Sequence, residues 1–176
     1  MVERRRPSPL SHTSLFQIRQ PAFWLYTAIV ALTGWATLVQ QGLFRQISPE
    51  GWALSCSSPS LQQILALCPS TVRVGAWVKP FAAFKVGVNP AYAWEPVIFH
   101  GGRTRRARDE STVRDWCAAS ITLQRGLAGA KPDPFCFWVF QMLGLQADDE
   151  LVDLFPGSGA VSRAWDSFRR QTRLIA

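Results

Sequence analysis

The stretch Glu150-Leu-Val-Asp-Leu-Phe-Pro-Gly-Ser-Gly-Ala160 decides the fold class, because a short strand pattern runs directly into a glycine turn and then into a helical pattern. We predict a strand over residues 149–155 and a helix over residues 160–170. Gly157 and Gly159 let the backbone approach a ligand closely, and the first N–H groups of the helix face the crevice beyond the carboxyl end of the strand. The turn has neither the Gly-Lys-Ser/Thr ending of a phosphate loop nor the longer G-x-G-x-x-G fingerprint. It therefore predicts a small-ligand site of another kind.

Short apolar runs alternate with helical patterns in the region that precedes this stretch. Residues 51–55, 72–78 and 92–99 have the composition of strands, and residues 60–67 and 133–143 have helical spacing. This alternation predicts an α/β domain.

A polar, arginine-rich region over residues 101–126 interrupts the alternation and is predicted to be a loop or an insertion. Most of the eight tryptophans, including Trp77 and Trp138, are predicted core residues. Each of these side chains buries a large area, and its N–H group needs only one hydrogen-bond partner.

The composition fits one domain with a buried core. Of the 176 residues, 48% are hydrophobic and 18% are charged, which excludes wholesale disorder. Nineteen basic residues against twelve acidic ones give a net charge of +7, which favours a polyanion or an anionic membrane surface as the partner. The cysteines show no C-x-x-C spacing and the histidines are far apart, so we expect free thiols, a reducing cytoplasm and no metal site. These residues are Cys56, Cys68, Cys117, Cys136, His12 and His100.

The region 21–44 contains no charged residue and follows a basic amino terminus. One interpretation is a membrane anchor, since basic residues precede its apolar centre at residues 23–39. These residues, as a helix, reach only about 25 Å, against a hydrocarbon core of about 30 Å. A stripe of polar residues at seven-residue spacing suits a helix packed on protein or at an interface as well. The sequence leaves both interpretations open, together with a third, a segment without a settled fold. We divide the chain into residues 1–48, with this apolar helix, and residues 49–176, the α/β domain.

The glycine turn is interpreted together with Lys131-Pro132, which precedes it in the sequence. Together with Asp153-Leu-Phe-Pro-Gly-Ser-Gly159, this pair resembles the motifs of S-adenosylmethionine-dependent DNA methyltransferases that modify exocyclic amines of adenine or cytosine. In that family a Lys-Pro segment opens a helix, a strand follows, and a D-x-F-x-G-x-G turn holds the cofactor. Residues 51–55, 76–81 and 91–97 also look like parts of small phage and actinobacterial methylase-like proteins.

The resemblance covers roughly residues 50 to 170 and implies a fold, a cofactor and a partner. The implied fold is a partial Rossmann-like methyltransferase sheet in circularly permuted order, in which the target-base half precedes the cofactor half. The implied cofactor is S-adenosylmethionine, and the implied partner is DNA.

The resemblance also implies roles for individual residues. The methionine part of the cofactor would contact Phe155, Gly157, Ser158 and Gly159, its amino group would lie near Asp153, and Lys131 and Pro132 would border the same pocket. In the arginine-rich loop, the residues implied to contact DNA phosphates include Arg103, Arg105, Arg106 and Arg108. Trp94 and Tyr92 are candidates for the pocket that receives the unstacked base.

The sequence departs from the family at its catalytic element, an Asp/Asn/Ser-Pro-Pro-aromatic tetrapeptide at the end of the first catalytic strand. The nearest string that we identify is Ser57-Ser-Pro-Ser60, which is expected to cap the following helix, so no catalytic residue is assigned. Three hypotheses therefore stay open: a DNA methyltransferase, a non-catalytic DNA-binding or accessory protein with a relic methylase fold, and a small protein anchored in a membrane through residues 21–44. The first two imply a cytoplasmic location.

Overall fold

The apolar runs pair in one sheet in the computed structural model, which describes residues 14–19, 51–81, 87–103, 111–121, 130–154 and 156–175. The strands are β1 Ser14–Arg19, β2 Gly51–Ser55, β3 Arg73–Val78, β4 Trp94–Gly101, β5 Trp116–Ala118 and β6 Glu150–Asp153. The helices of the described residues are α1 Leu61–Leu65, α2 Asp133–Met142 and α3 Ala160–Ile175, and a 3-10 turn at Ser58–Ser60 precedes α1. The predicted α/β class is confirmed.

The described strands form a six-stranded sheet in the order β5-β3-β4-β2-β1-β6. The pair β3 and β5 is parallel, and the other four pairs are antiparallel. Because each antiparallel step reverses the direction, β2, β3, β5 and β6 point one way, and β1 and β4 point the other way. The last residues of β2, β3 and β6 therefore meet at one edge of the sheet, which we call the carboxyl edge.

Helices cover both faces of this sheet. On one face, Ala53, Val97 and Phe99 pack against α2 and α3 in the larger core. On the other face, Trp52 and Ile98 pack with residues of α1. Successive side chains along each strand point to opposite faces of the sheet, so the two sets of residues belong to different cores. This is expected for a sheet that is buried on both faces.

The two tryptophans predicted to be core residues are buried, with exposed fractions of 3% for Trp77 and 6% for Trp138. Each indole N–H donates to a backbone carbonyl at 2.8 Å, from Trp77 to Ala119 and from Trp138 to Arg114. A buried indole needs one such acceptor, so both side chains contribute their full apolar area to the core.

The arginine-rich region predicted as a loop contains a strand that the sequence does not indicate. Strand β5 has three residues and pairs with β3 beyond Gly75. A β carbon on Gly75 would lie 2.7 Å from the backbone oxygen of Asp115, so glycine permits this close approach. A three-residue strand is too short to show a period, and only its partner strand defines it.

Two other predictions differ from the structure at helix ends. Helix α3 continues to Ile175, beyond the predicted end at residue 170. Ser60 occupies the N-cap position of α1, but its hydroxyl makes no capping hydrogen bond and lies 2.8 Å from the hydroxyl of Ser57. Ser60 is thus at the cap position, but the prediction that its side chain caps the helix is wrong.

Strand β1 joins the amino-terminal region to this sheet, because it pairs with both β2 and β6. The boundary predicted at residue 48 thus separates strands that are hydrogen-bonded to each other. The predicted apolar helix at 21–44 lies outside the described residues. Within the described ranges, no helix has the length and apolar character needed to cross a membrane.

Candidate functional site

The turn between β6 and α3 lies at the carboxyl edge, where the sequence predicts a small-ligand site. Gly157 and Gly159 have φ angles of 45° and 68°, a region that L side chains rarely adopt. The Gly159 N–H donates to the Pro156 carbonyl at 2.6 Å, and Arg163 Nη1 donates to the Ser158 carbonyl at 2.8 Å. The two glycines thus allow the chain to pass directly from the strand into the helix.

Asp153 is the last residue of β6 and is half-buried. Because side chains alternate along a strand, it shares the face of Leu151, which packs against the larger core. The next predicted residue of the turn, Phe155, lies outside the described residues. The described part of the predicted site therefore consists of a carboxylate followed by a glycine turn.

Lys131, which the resemblance assigns to the same pocket, is buried rather than solvated. Its side chain is 3% exposed, and its ammonium group donates to Glu95 Oε2 at 2.7 Å and to Ser55 Oγ at 3.0 Å. The ammonium also lies 4.7 Å from the ring centroid of Trp77 and 5.2 Å from that of Phe135. Aromatic faces and a carboxylate together replace the water that a surface lysine would bind.

A second lysine shares the same carboxylate. Lys79 follows β3 and contacts Glu95 Oε1, and its side chain is 14% exposed. We call Ser55, Lys79, Glu95 and Lys131 the lysine–glutamate cluster. One carboxylate between two ammonium groups leaves the cluster with a formal charge of +1, so it favours an anionic group of a ligand.

The pKa values in the cluster follow from burial and from this pairing. Burial by itself would raise the pKa of Glu95, but the charges and hydrogen bonds of Lys131 and Lys79 outweigh it and hold that pKa below its ordinary value. Burial lowers the pKa of Lys131, Glu95 opposes this effect, and Lys79 adds to it. The ion pair therefore stabilises the charged carboxylate, while burial weakens the proton affinity of Lys131.

The first turn of α2 and strand β6 contribute to the same core, in which Cys136 is buried and against which Leu151 packs. Burial raises the pKa of the Cys136 thiol to about 12. In the sheet, Phe16 of β1 pairs with both Ala53 and Asp153, so Asp153 is level with Ala53, while β2 continues for two more residues to Ser55. Ala53 and Asp153 are two strand spacings, or about 10 Å, apart.

Pro132 occupies the N-cap position of α2, and its carbonyl accepts hydrogen bonds from Phe135 at 3.0 Å and from Cys136 at 3.1 Å. The Lys-Pro segment therefore opens the helix as the resemblance implies, and it orients Lys131 toward the sheet.

Sequence reasoning missed three members of the cluster: Ser55, Lys79 and Glu95. Glu95 gives a signal in retrospect, because it is a charged residue in a strand whose next alternate positions, Val97 and Phe99, are apolar and buried. A charge on the buried face of a strand requires a partner. The sequence does not indicate that the partner is Lys131, 36 residues further along the chain.

Of the residues implied to contact DNA or its unstacked base, Arg103, Tyr92 and Trp94 are described. Arg103 donates to both carboxylate oxygens of Asp149, with Nη2 at 2.6 Å from Oδ1, and to the Gly144 carbonyl at 3.0 Å. A phosphate would have to compete with these contacts. Trp94 is 40% exposed at the start of β4. Arg105, Arg106 and Arg108 lie outside the described residues.

A cavity of about 330 Å³ opens beside Trp94. Ser58, the segment 87–92 and Trp94 line it. The segment includes Asn89-Pro90-Ala91-Tyr92, an Asn-Pro-x-aromatic string that differs from the family's catalytic tetrapeptide at Ala91. A sequence search that allows any residue at the third position of the tetrapeptide would have found this string.

No protein-family model matches the chain, and no curated protein or solved structure matches it either.

Proposed function

We propose that this chain is an S-adenosylmethionine-binding, DNA methyltransferase-like protein that acts on the exocyclic amine of adenine or cytosine. The observation that carries the proposal is that the two motif segments adjoin one core. Lys131 precedes α2, whose Phe135 and Cys136 are buried in the larger core, and Asp153 shares a face of β6 with Leu151, which packs against that core. This arrangement supports the assignment of both motifs to one pocket.

The side chains at this edge fit the methionine part of the cofactor. The Asp153 carboxylate suits an ammonium group, and the net positive charge of the lysine–glutamate cluster suits a carboxylate. The glycine turn, with Gly157 and Gly159 at positive φ, allows close approach of the backbone. When bound, S-adenosylmethionine supplies a methyl group on a positively charged sulfur.

The finer fold proposal, a partial Rossmann-like sheet in permuted order, rests on the resemblance, because four of the five described strand pairs are antiparallel and such sheets are mostly parallel. Strands β2, β3, β5 and β6 point the same way, and helices cover both faces. In open α/β sheets a ligand binds beyond the carboxyl ends of such strands. A cytoplasmic location goes with this proposal, because the proposed substrate is DNA.

A second candidate function is DNA binding without methyl transfer. The family's catalytic tetrapeptide follows the first catalytic strand, but β1 runs opposite to β6. Its last residue, Arg19, pairs with Glu150, the first residue of β6, and so lies at the edge opposite the glycine turn. The described end of β1 is therefore not at the edge where the cofactor is proposed to bind, which favours a silent protein.

Calorimetric titration with S-adenosylmethionine tests the first proposal. We expect saturable heat at one site per chain from a sample whose folding is verified by circular dichroism. The absence of heat at high concentrations of protein and cofactor would overturn the proposal.

Incorporation of labelled methyl groups into unmethylated DNA of mixed sequence separates the two candidates. Incorporation supports the methyltransferase. Cofactor heat and DNA binding without incorporation support the silent protein, and this binding is expected to weaken with salt with a slope of about −0.9 per neutralised phosphate.

A further inference from the structure

The face of the sheet that carries α1 is covered over only part of its width. On β2 and β4, Trp52, Leu54 and Ile98 are fully buried in the smaller core with α1. On β3, Val74 pairs with Ile98, so both side chains point to this face, but Val74 is 39% exposed. Val78 lies four residues further along β3, points to the same face and is 36% exposed. Helix α1 therefore leaves the part of this face formed by β3 and β5 open.

Two tryptophans flank the exposed row of β3. Trp94 of β4 pairs with Val78 and is 40% exposed. Trp116 of β5 pairs with Ala76 and is 44% exposed. The side chains of Val74, Ala76 and Val78 thus form a low aliphatic row between two larger aromatic groups. We call these five residues the apolar half-face.

The half-face is large for the surface of a single chain. Its four larger side chains together expose roughly 300 Å², a size at which a contiguous apolar patch often has a function. A specific interface buries at least about 1,000 Å² in total, or about 500 Å² from each partner. The half-face thus supplies more than half of one such contribution, and the remainder falls to the polar rim that surrounds the apolar centre of an interface.

The distribution of charge favours a second copy of the chain as the partner. The whole chain carries a net charge of +7, so two copies repel each other overall. In the part of this face that β2, β3, β4 and α1 form, the described residues include no Asp, Glu, Lys or Arg. On the edge strand β5, the Arg114 guanidinium lies 5.6 Å from the ring centroid of Trp116. Two half-faces can therefore meet without like charges at their centre.

The shape of the half-face is also self-complementary. The tryptophans stand higher than the aliphatic row between them, so a twofold axis can place Trp116 of one protomer on the β3 row of its partner. Two packed sheets lie about 10 Å apart, which is close to the diameter of a helix, about 10 Å. A second copy thus fits into the layer that α1 occupies beside the half-face.

We propose that the apolar half-face is the interface of a symmetric homodimer, in which Trp116 of one protomer packs on the β3 row of its partner. The inference goes beyond the proposed function, because neither the cofactor nor DNA takes part in this contact. The interface lies on the face of the sheet opposite α2 and α3. A contact of this size corresponds to a weak dimer, with a dissociation constant on the order of 10 µM.

Sedimentation velocity of the full chain, without cofactor or DNA, tests the proposal. We expect the average mass to rise from one chain toward two between about 1 µM and about 100 µM. Raising the salt from about 50 mM to about 500 mM should strengthen the association, since salt screens the repulsion between two chains of charge +7. A chain that stays monomeric throughout overturns the proposal and indicates another segment of the chain, or a different protein, as the occupant. Association that weakens as the salt rises indicates a polar interface elsewhere and also overturns it.

Three variants locate the interface. Trp116→Lys and Val78→Glu each bury a charge in the apolar contact and should weaken the dimer at least about tenfold. A mixture of these two variants should regain part of the affinity, because the introduced ammonium of one then meets the introduced carboxylate of the other. Leu174→Lys is the matched control: it adds the same charge as Trp116→Lys, but Leu174 is 87% exposed near the end of α3, on the opposite face. This variant should dimerise like the wild type.

Circular dichroism verifies that each variant is folded, and Val74→Lys is a second probe of the β3 row should Val78→Glu fail to fold. Equal effects of Trp116→Lys and Leu174→Lys overturn the proposal, and so does a mixture that associates no more tightly than the separate variants. Since the assay contains neither S-adenosylmethionine nor DNA, its failure is distinguishable from failure of the proposed function.

Discussion

Lys131 Nζ lies 2.7 Å from Glu95 Oε2 and joins the start of α2 to strand β4 through an ion pair whose lysine side chain is 3% exposed. This pair connects the Lys-Pro segment to the sheet and thereby holds the start of α2 against β4. Burial of the two charges costs desolvation free energy. The pair therefore contributes to stability only while both partners remain charged and hydrogen-bonded.

Glu95→Gln should lower the free energy of unfolding by about 3 kcal/mol, since it leaves the ammonium groups of Lys131 and Lys79 without a counter-charge in a buried place. Urea unfolding at pH 7 measures the change. Asp115→Asn is the control: its ion pair with Arg73 has an N–O distance of 3.7 Å and exposed side chains, and the loss should stay below about 1 kcal/mol. Equal losses in the two variants would contradict a buried role for Glu95.

Asp149 should make stability fall at acid pH. Burial opposes the shift, but the hydrogen bonds from Arg103 and from the Gln146 N–H, together with the charge of Arg103, hold the pKa of Asp149 below its ordinary value of 3.8. The unfolded chain therefore binds this proton first as the pH falls. The contribution is complete well above 3.8 and is lost as the pH falls through 3.8 toward the lower pKa of the folded state.

Asp149→Asn should therefore lower the free energy of unfolding at pH 7 by about 2 kcal/mol and make its decrease between pH 5 and pH 3 less steep. Asp148→Asn is a neighbouring control, because the Asp148 side chain is 92% exposed in its pair with Arg173. Parallel stability curves for Asp149→Asn and the wild type would contradict the prediction.

Gly75→Ala should destabilise the sheet by about 2 kcal/mol, a typical cost of overpacking. The added β carbon would lie 2.7 Å from the Asp115 carbonyl oxygen and 3.1 Å from the Trp138 ring, and neither the strand backbone nor a buried indole moves easily. Urea unfolding monitored by tryptophan fluorescence gives the value. A change of less than about 0.5 kcal/mol, the usual range of surface substitutions, would show that β5 does not pack as described.

Gly159→Ala should separate backbone strain from cofactor binding. The φ angle of 68° costs an alanine about 1 kcal/mol, and its β carbon would lie 3.2 Å from the flexible end of Arg163. We expect this loss of stability together with roughly tenfold weaker binding of S-adenosylmethionine in calorimetry, or about 1.4 kcal/mol. Gly87→Ala is matched, with a φ of 79° and open space around the β carbon, and should lose stability alone. Equal affinities in the two variants would argue against a cofactor at the turn.

The cysteine thiols should react slowly in the folded protein. Burial raises the pKa of Cys68 from 9.0 to about 11, and burial is also the largest cause that raises the pKa of Cys56, Cys117 and Cys136 to about 12. The thiolate fraction at pH 8 is then at least about 100-fold below that of an ordinary thiol, and only the thiolate is reactive. Titration with a disulfide reagent should show slow release, and four rapid equivalents after unfolding in guanidinium, one for each free cysteine. A rapid equivalent from the folded protein would show that one thiol is accessible.

Local signals in the sequence predicted most of the elements. The strand at 51–55 was predicted with its observed bounds, and α2 was predicted to within one residue. Apolar periodicity, a proline in the first turn and Gly144 after the last turn are local features, and each acts through its own residues and near neighbours. The three-residue strand β5 has no such signal, because pairing with β3 creates it.

The backbone of the glycine turn was predicted, since Gly157 and Gly159 are at positive φ. The assignment of Lys131 and Asp153 to one cofactor pocket stays a prediction. The burial of Lys131 was not predictable, since a lysine before a helix is usually solvated. Its environment comes from Glu95, Ser55 and Trp77, which belong to other strands.

The sequence by itself determined the α/β class, the strand–turn–helix at 150–160 and the start of α2, because these depend on periodicity and on the conformational limits of glycine and proline within a few residues. Only the tertiary structure decided the strand order, the opposite direction of β1 and β6, and the enclosure of Lys131 by Glu95. These features depend on contacts between distant parts of the chain, and the free energy of such contacts is set by which surfaces are buried together.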